Sequence, residues 1–246
     1  MAVNQIELPD VDGRWRRLVG RLWPARCLAC SEAGHHGYDL CAACLATLPW
    51  NHHACARCAI PLPVVPTQPQ APQVCGDCLQ RPPPLQMTCA AFVYGAPLDR
   101  LLPRFKFHHD LAAGRLLAQL MAHVLADAER PQALLPIPLH HARLRSRGYD
   151  QALELAKPLS RALQMPLLRD ALVRTRATAQ QSRLDAAQRR RNVRKAFMVD
   201  SRASLPAHVV LVDDVMTTGA TLHAAARALR RAGVARVDAW VCARAP

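Results

Sequence analysis

The sequence predicts an α/β fold in which a mainly parallel sheet is flanked by helices and follows a small cysteine-rich module. After residue 86, strand-like apolar runs alternate with segments of helical periodicity, which is the pattern of a parallel sheet. Before residue 80, eight of the ten cysteines form four Cys-x-x-Cys pairs in a stretch with little periodicity. A chain of 246 residues has room for one substantial core and a smaller module.

We divide the chain into three parts: an N-terminal helix within residues 1–26, the cysteine-rich module at 27–80, and the α/β domain at 86–246. The segment "RPPPLQ" (81–86) is predicted to be a stiff linker. Trp15, Leu18 and Leu22 recur at helical spacing, so the first part is predicted to be a short basic amphipathic helix. Such a helix either lies on a membrane surface or caps the neighbouring module, and we favour the cap.

The α/β domain contains seven segments with a clear pattern. Strands are predicted at residues 88–94, 133–139, 208–214 and 236–244. Helices are predicted at residues 110–128, 151–163 and 219–233. Pro158 is expected to interrupt the second helix, and Gly233 is expected to end the third. Cys89 and Cys242 fall within strands and are predicted to be small core residues.

The net charge of +14 favours partners that carry phosphate, such as nucleotides, phosphosugars or nucleic acid. A solvated surface rich in arginine is the simpler explanation of the same charge. No apolar stretch approaches the ~20 residues that a spanning helix needs. The start "MAVNQIELPD" lacks the basic region and apolar run of a signal peptide, so we expect a cytoplasmic protein with no membrane span.

The Cys-x-x-Cys pairs predict two structural zinc sites, because each such turn presents two thiolates to one ion and two turns complete a tetrahedron. In sequential order the first site contains Cys27, Cys30, Cys41 and Cys44, and the second contains Cys55, Cys58, Cys75 and Cys78. Sequential pairing closes shorter loops, but a crossed arrangement remains open. His35, His36, His52 and His53 are expected to be surface residues, since eight sulfurs already suffice.

The stretch "VVLVDDVMTTGAT" (209–221) joins a predicted buried strand to a helix. Ligands of parallel sheets gather at this end of a strand, where the helix N-terminus offers free N–H groups. The stretch carries two acids and a threonine-glycine turn, namely Asp213, Asp214, Thr217, Thr218, Gly219 and Thr221. Helix capping alone needs one such residue, and no P-loop lysine follows. The carboxylates suit vicinal sugar hydroxyls or a hydrated metal ion, and the hydroxyls and backbone N–H groups of the turn suit a phosphate. One pocket at this position would therefore fit a ribose 5-phosphate.

This stretch resembles the ribose-phosphate signature of type I phosphoribosyltransferases. Three further stretches extend the likeness, namely "RFKFHHD" (104–110), "LLPIPLHHARLRSRGYDQALELA" (134–156) and "RTRATAQQSRLDAAQRRRNVRKAF" (174–197). Together with the cysteine-rich module they resemble the ComF family, the competence protein F and GntX-like group. The resemblance covers almost the whole chain from Cys27. It implies a phosphoribosyltransferase-like domain behind a double zinc ribbon.

The resemblance also implies roles for individual residues. Asp213 and Asp214 would contact the ribose 2- and 3-hydroxyls, and residues 217–221 would hold the 5-phosphate. The turn after "LLPIP" occupies the place of the family's pyrophosphate loop, with Arg143, Arg145 and Arg147 nearby. The ligand-binding set implied in this way is Lys106, Pro138, Leu139, Arg145, Asp213, Asp214, Thr217, Thr218, Gly219, Ala220 and Thr221.

The same resemblance implies that residues 174–195 correspond to the mobile loop that covers the site in phosphoribosyltransferases. The segment holds seven arginines and Lys195 against the single acid Asp185, so closure over a polyanion would relieve its self-repulsion. A solvated basic helix is the alternative. The candidate lid residues are Arg174, Arg176, Gln181, Arg189 and Asn192.

Three functions fit these observations. The first is a phosphoribosyltransferase of nucleotide salvage, or at least a protein that binds phosphoribosyl pyrophosphate with Mg²⁺. The second, implied by the resemblance, is the handling of imported single-stranded DNA with DNA-uptake proteins, although an aromatic content of 4% offers few platforms for stacking bases. The third is a nucleotide-sensing regulator without turnover. No residue that would read an acceptor base is evident, so we combine the first two, with catalysis and catalytic residues left open.

Overall fold

A computed structural model describes residues 25–64, 72–175 and 196–246. Its helices are α1 (Ala42–Ala46), α2 (Gly76–Gln80), α3 (Leu98–Phe107), α4 (Leu111–Leu125), α5 (His141–Arg147), α6 (Gln151–Ala162) and α7 (Ala220–Arg231). Its strands are β1 (Thr88–Val93), β2 (Ala133–Pro136), β3 (Leu172–Arg174), β4 (Phe197–Val199), β5 (His208–Met216) and β6 (Arg236–Arg244). The predicted helix at residues 11–26 lies almost entirely outside the described residues.

The main sheet has four strands in the order β1-β6-β5-β2, and every neighbouring pair is parallel. The predicted α/β fold with a parallel sheet is therefore confirmed. Strand β5 lies inside the sheet between β6 and β2, and residues 209–212 are fully buried. This burial on both faces explains why the run "VVLV" is continuously apolar rather than alternating. All four strands end at the same edge of the sheet, so the two acids after "VVLV" lie at that edge.

The sheet separates two apolar cores. Val210 and Val212 face the first core with helices α3, α4 and α6, whereas Val209 and Leu211 face the second core with α7 and the antiparallel β3–β4 pair. The cysteine-rich segment contributes to both cores. Cys27, Leu40 and Leu48 belong to the first core, and Ala59 and Leu85 belong to the second.

The segment predicted as a linker packs on the sheet. Leu85 is completely buried, and Gln86 exchanges two hydrogen bonds with the backbone of Val237 in β6. The domain boundaries at 26, 80 and 86 stay a prediction. Within the described residues, no helix combines the length and the apolar character needed to cross a membrane.

Strand β2 and helices α3, α5 and α6 differ from the sequence prediction. Helix α6 continues through Pro158, contrary to the expected interruption, because Leu155 and Leu159 on its apolar face are fully buried and offset one lost backbone hydrogen bond. Strand β2 ends at Pro136 rather than residue 139, since Pro138 has no N–H to donate. Helices α3 and α5 were not predicted, because α3 contains Pro103 and α5 has few apolar residues.

Candidate functional site

The cysteines form two tetrads in the sequential arrangement. The sulfurs of Cys27, Cys30, Cys41 and Cys44 all lie within 4.8 Å of one another, and so do those of Cys55, Cys58, Cys75 and Cys78. The Cys30 and Cys41 sulfurs are 3.6 Å apart, and those of Cys58 and Cys75 are 3.7 Å apart. Zinc–sulfur bonds of about 2.3 Å in a tetrahedron separate the sulfurs by about 3.8 Å. The tetrads are therefore zinc-binding sites, and no histidine belongs to either group among the described residues.

Backbone N–H groups favour the thiolate form at one cysteine of each tetrad, whereas burial raises the pKa of Cys44 and Cys78, and that of Cys58 to about 11. Burial alone would raise the pKa of Cys27 and Cys55, but N–H groups of the Cys-x-x-Cys turns outweigh it and lower these pKa values to about 6 and about 7. The thiolate is the form that binds zinc. With all four ligands supplied by protein, each site is closed and structural rather than catalytic.

A cavity of about 830 Å³ lies at the carboxyl edge of the sheet. Its walls come from the ends of β2 and β5, helices α3 and α5, the start of α6, and β3. Charged residues of both signs line it, namely Lys106, Arg143, Arg147, Asp150, Arg174, Asp213 and Asp214. Carboxylates opposite cations suit a ligand that carries both hydroxyl groups and phosphate.

The acid pair at the end of β5 forms the floor of the cavity. The Lys106 ammonium, delivered by the last turn of α3, lies 3.0 Å from Asp214 Oδ1. The Asp214 backbone N–H donates to Asp213 Oδ1 over 2.9 Å. Burial, together with the neighbouring charge of Asp214, raises the pKa of Asp213 to about 8. Asp213 therefore holds a proton at neutral pH until a cation or a ligand changes its surroundings.

The turn that follows β5 leads into helix α7. Gly219 is the N-cap residue of α7 and has a φ of 71°, a left-handed conformation that favours glycine. A Cβ atom there would lie 2.6 Å from Met216 Cε and 2.9 Å from His223 Nε2. Met216 and His223 therefore pack closely against the turn on the protein side. On the other side, Thr217 and Thr221 line the cavity, and Thr217 is exposed. The start of α7 adds N–H groups to this wall.

Asp150 joins the turn after β2, which the resemblance associates with pyrophosphate, to the start of helix α6. As the N-cap of α6, its carboxylate accepts hydrogen bonds from Leu153 N at 3.1 Å and from Leu139 N at 2.8 Å. Burial raises the pKa of Asp150 and the charge of Asp214 adds to this, while the backbone N–H groups oppose it. The turn after β2 is thereby fixed against the start of α6.

Three arginines line the cavity together with the acids. Arg143 and Arg147 lie four residues apart on α5 and face the cavity, whereas Arg145 points away and is exposed. Arg147 stacks over Phe107 with 5.0 Å between the guanidinium carbon and the ring centre. Arg174 enters from β3 and is buried, and burial lowers its pKa to about 10. Arg174 still carries its charge at neutral pH, because a pKa of about 10 lies well above it.

The structure brings only part of the sequence-derived ligand set to this cavity. Lys106, Leu139, Asp213, Asp214, Thr217 and Thr221 line it, as does the candidate lid residue Arg174. Pro138, Arg145, Thr218, Gly219 and Ala220 do not line it. Arg176, Gln181, Arg189 and Asn192 lie outside the described residues.

Sequence reasoning missed Asp150, Phe107 and His109, all of which line the cavity. The position of Asp150 directly before a predicted helix was a usable signal, because aspartate is a preferred N-cap. The exposed Phe107 carried no such signal.

Comparisons with known proteins support the two-part organisation. A model of the double zinc ribbon domain matches residues 18–96, and a model of the phosphoribosyl transferase domain matches residues 145–246. Competence protein F of Haemophilus influenzae is 39% identical over 181 residues, which cover 70% of this chain and 79% of that protein. The DNA utilization protein YhgH of Escherichia coli K12 is 38% identical over 179 residues, 69% of this chain and 77% of its own. Competence protein ComFC of Bacillus subtilis is 29% identical over 153 residues, 61% of each chain.

Proposed function

Because the chain belongs to the ComF family, which joins a double zinc ribbon to a phosphoribosyl transferase domain, we propose two linked functions. The cavity binds the ribose 5-phosphate part of phosphoribosyl pyrophosphate. The protein acts in the cytoplasm in the uptake or use of imported single-stranded DNA. The names of the relatives, competence protein and DNA utilization protein, support the second function.

One observation carries the first function: Asp213 and Asp214 share a cavity with the threonines at the start of α7. Two adjacent carboxylates accept hydrogen bonds from vicinal hydroxyls, and the hydroxyls and N–H groups of the turn donate to a phosphate. A ribose 5-phosphate displays these two kinds of group at opposite ends. The acids and the hydrogen-bond donors of the cavity therefore suit the hydroxyls and the phosphate of ribose 5-phosphate.

The acid pair also suits Mg²⁺, since carboxylate oxygens and water are its usual ligands. When bound with phosphoribosyl pyrophosphate, Mg²⁺ would neutralise the charge that develops on departing pyrophosphate. Among the chain's own groups, Arg143, Arg147 and Lys106 would hold the pyrophosphate by charge. Asp150 would keep the adjoining turn in place, and Asp213 would release its proton as the cation arrives.

Calorimetry with phosphoribosyl pyrophosphate and Mg²⁺ tests the pocket. We expect the wild type to bind and the double variant Asp213→Asn/Asp214→Asn to bind at least tenfold more weakly. Asp200→Asn, which alters an acid outside the cavity, is the matched control and should bind like the wild type. Absence of wild-type binding would refute the pocket, and unchanged binding by the double variant would refute its residue assignment.

A salt titration of single-stranded DNA affinity tests the second function. Release of counterions from phosphates predicts a steep fall of log affinity with log salt. We expect tighter binding to single strands than to a duplex of the same sequence. A flat slope, or no binding, would leave the net charge of +14 without this explanation.

A further inference from the structure

The turn that holds the second cysteine tetrad is hydrogen-bonded to the α/β domain at three successive residues and to the cysteine-rich module at the next. The carbonyls of Ala56, Arg57, Cys58 and Ala59 accept hydrogen bonds from Thr88 N, Thr88 Oγ1, Arg244 Nε and Asn51 Nδ2, at 2.8, 2.9, 2.9 and 2.9 Å. The bonds from Thr88 and Arg244 fix the turn to the sheet, and the bond from Asn51 fixes it to the preceding segment of the chain. The tetrad is thus attached to the sheet through its own backbone.

Arg244 extends this attachment to the proposed phosphate site. It is the last residue of β6 and is only 8% exposed. Its guanidinium donates to Cys58 O and also to Met216 O, the latter over 3.3 Å, and to Ala245 O. Ala245 N donates to the same Met216 carbonyl over 2.9 Å. The end of β5 is therefore anchored beside the second tetrad.

Met216 is the last residue before the turn that leads into α7. Its Cε would be 2.6 Å from a Cβ at Gly219, so its side chain packs directly beneath this turn. A continuous path of contacts therefore runs from Cys58 through Arg244 and Met216 to Gly219. Every step is a hydrogen bond or a close packing contact between buried or half-buried groups.

The first tetrad is attached elsewhere. Arg104 of α3 donates to Leu28 O over 2.5 Å, and Arg115 of α4 pairs with Asp39 at 3.1 Å. These contacts lead to helices on the opposite side of the sheet from α7. A variant of the first tetrad can therefore be compared with a variant of the second.

We propose that Arg244 is a positioning residue for the turn at 217–221, and that zinc in the second tetrad keeps Arg244 in place. This inference rests on the proposed function. Zinc fixes the fold of a small cysteine turn, so its loss would free the Cys58 carbonyl. A buried guanidinium that loses one acceptor seeks another, and the Met216 carbonyl would then keep only the hydrogen bond from Ala245 N. The second zinc ribbon thereby sets the phosphate affinity of the cavity.

Two measurements on the full-length, zinc-loaded chain test this inference. The first is the Kd for ribose 5-phosphate by calorimetry in the wild type and in Arg244→Lys, Cys75→Ser and Cys30→Ser. Lysine keeps the charge but cannot bridge two carbonyls as a planar guanidinium does. We expect Arg244→Lys and Cys75→Ser to bind about tenfold more weakly, which corresponds to the loss of one charged hydrogen bond. Cys30→Ser should weaken binding less than Cys75→Ser, because the first tetrad contacts α3 and not the turn at 217–221.

The second measurement is amide hydrogen exchange at residues 216–221 compared with residues 209–212. Faster exchange confined to the turn is expected in Arg244→Lys and Cys75→Ser but not in Cys30→Ser. The inference would be overturned if the amides of residues 216–221 exchanged at the wild-type rate in Arg244→Lys. It would also be overturned if the wild type and the three variants all bound ribose 5-phosphate with the same affinity. If the wild type does not bind ribose 5-phosphate, the proposed function fails and the exchange pattern alone decides the inference. If Cys75→Ser does not fold, Arg244→Lys decides it.

Discussion

The Lys106 ammonium and the Asp214 carboxylate form an ion pair of 3.0 Å across the floor of the cavity. Helix α3 supplies the lysine and strand β5 supplies the acid, so the pair joins two elements that are distant in the chain. It also neutralises one of the two adjacent acids. Without this ammonium the floor of a proposed phosphate site would repel its ligand.

Replacement of Lys106 by methionine should weaken the binding of ribose 5-phosphate by at least tenfold, because an attractive charge is lost and a carboxylate is left unpaired. Lys157→Met is the matched control, since Lys157 pairs with Glu154 on α6 and does not line the cavity. Calorimetry on both variants measures the difference. Equal affinities would show that Lys106 has no role in the site.

Gly219 and Gly233 provide a second matched pair, because both have a left-handed φ, 71° and 96° respectively. Alanine at either position costs about 1–2 kcal/mol of strain. An added Cβ meets close neighbours at Gly219 but none within 4 Å at Gly233. We expect both variants to melt several degrees lower and only Gly219→Ala to lose ribose 5-phosphate affinity. Loss of affinity in both, or in neither, would contradict this view of the turn.

The raised pKa of Asp213 predicts a particular dependence of stability on pH. Its pKa is about 8 in the folded protein, against about 3.9 in an unfolded chain. Between these values the folded state binds the extra proton, so the stability contributed by Asp213 falls as pH rises from about 4 to about 8. Asparagine has no such proton. The melting temperature of Asp213→Asn relative to wild type should therefore rise across this window and level off above it. A constant difference from pH 4 to 9 would contradict the assigned shift.

Zinc removal should destabilise the whole chain and not only the cysteine-rich segment. Cys27 and Leu40 belong to the first core together with residues of α4 and α6, and Ala59 belongs to the second. We expect two zinc ions per chain by mass spectrometry and a single thermal transition at lower temperature after chelation. Cys30→Ser should retain one ion. An unchanged transition after complete chelation would show that the tetrads do not support the cores.

Sequence reasoning located the parts of the molecule that follow local rules. Paired cysteines indicate zinc, and "VVLVDD" indicates a buried strand ending in acids; the structure agrees with both. Pro158 shows the limit of such rules, since burial of Leu155 and Leu159 overrides the local preference of proline. The pairing of Lys106 with Asp214 and the bridge made by Arg244 join remote segments. No local pattern encodes such contacts, so only the folded chain reveals them.

The central claim is that Asp213 and Asp214 recognise the hydroxyls of a ribose 5-phosphate. The most direct test compares the affinities of the wild type for ribose 5-phosphate and for 2-deoxyribose 5-phosphate by calorimetry. A carboxylate that loses its hydroxyl partner predicts at least tenfold weaker binding of the deoxy sugar, and the difference should vanish in Asp213→Asn/Asp214→Asn. Equal affinities for the two sugars, or no binding of ribose 5-phosphate, would contradict the claim.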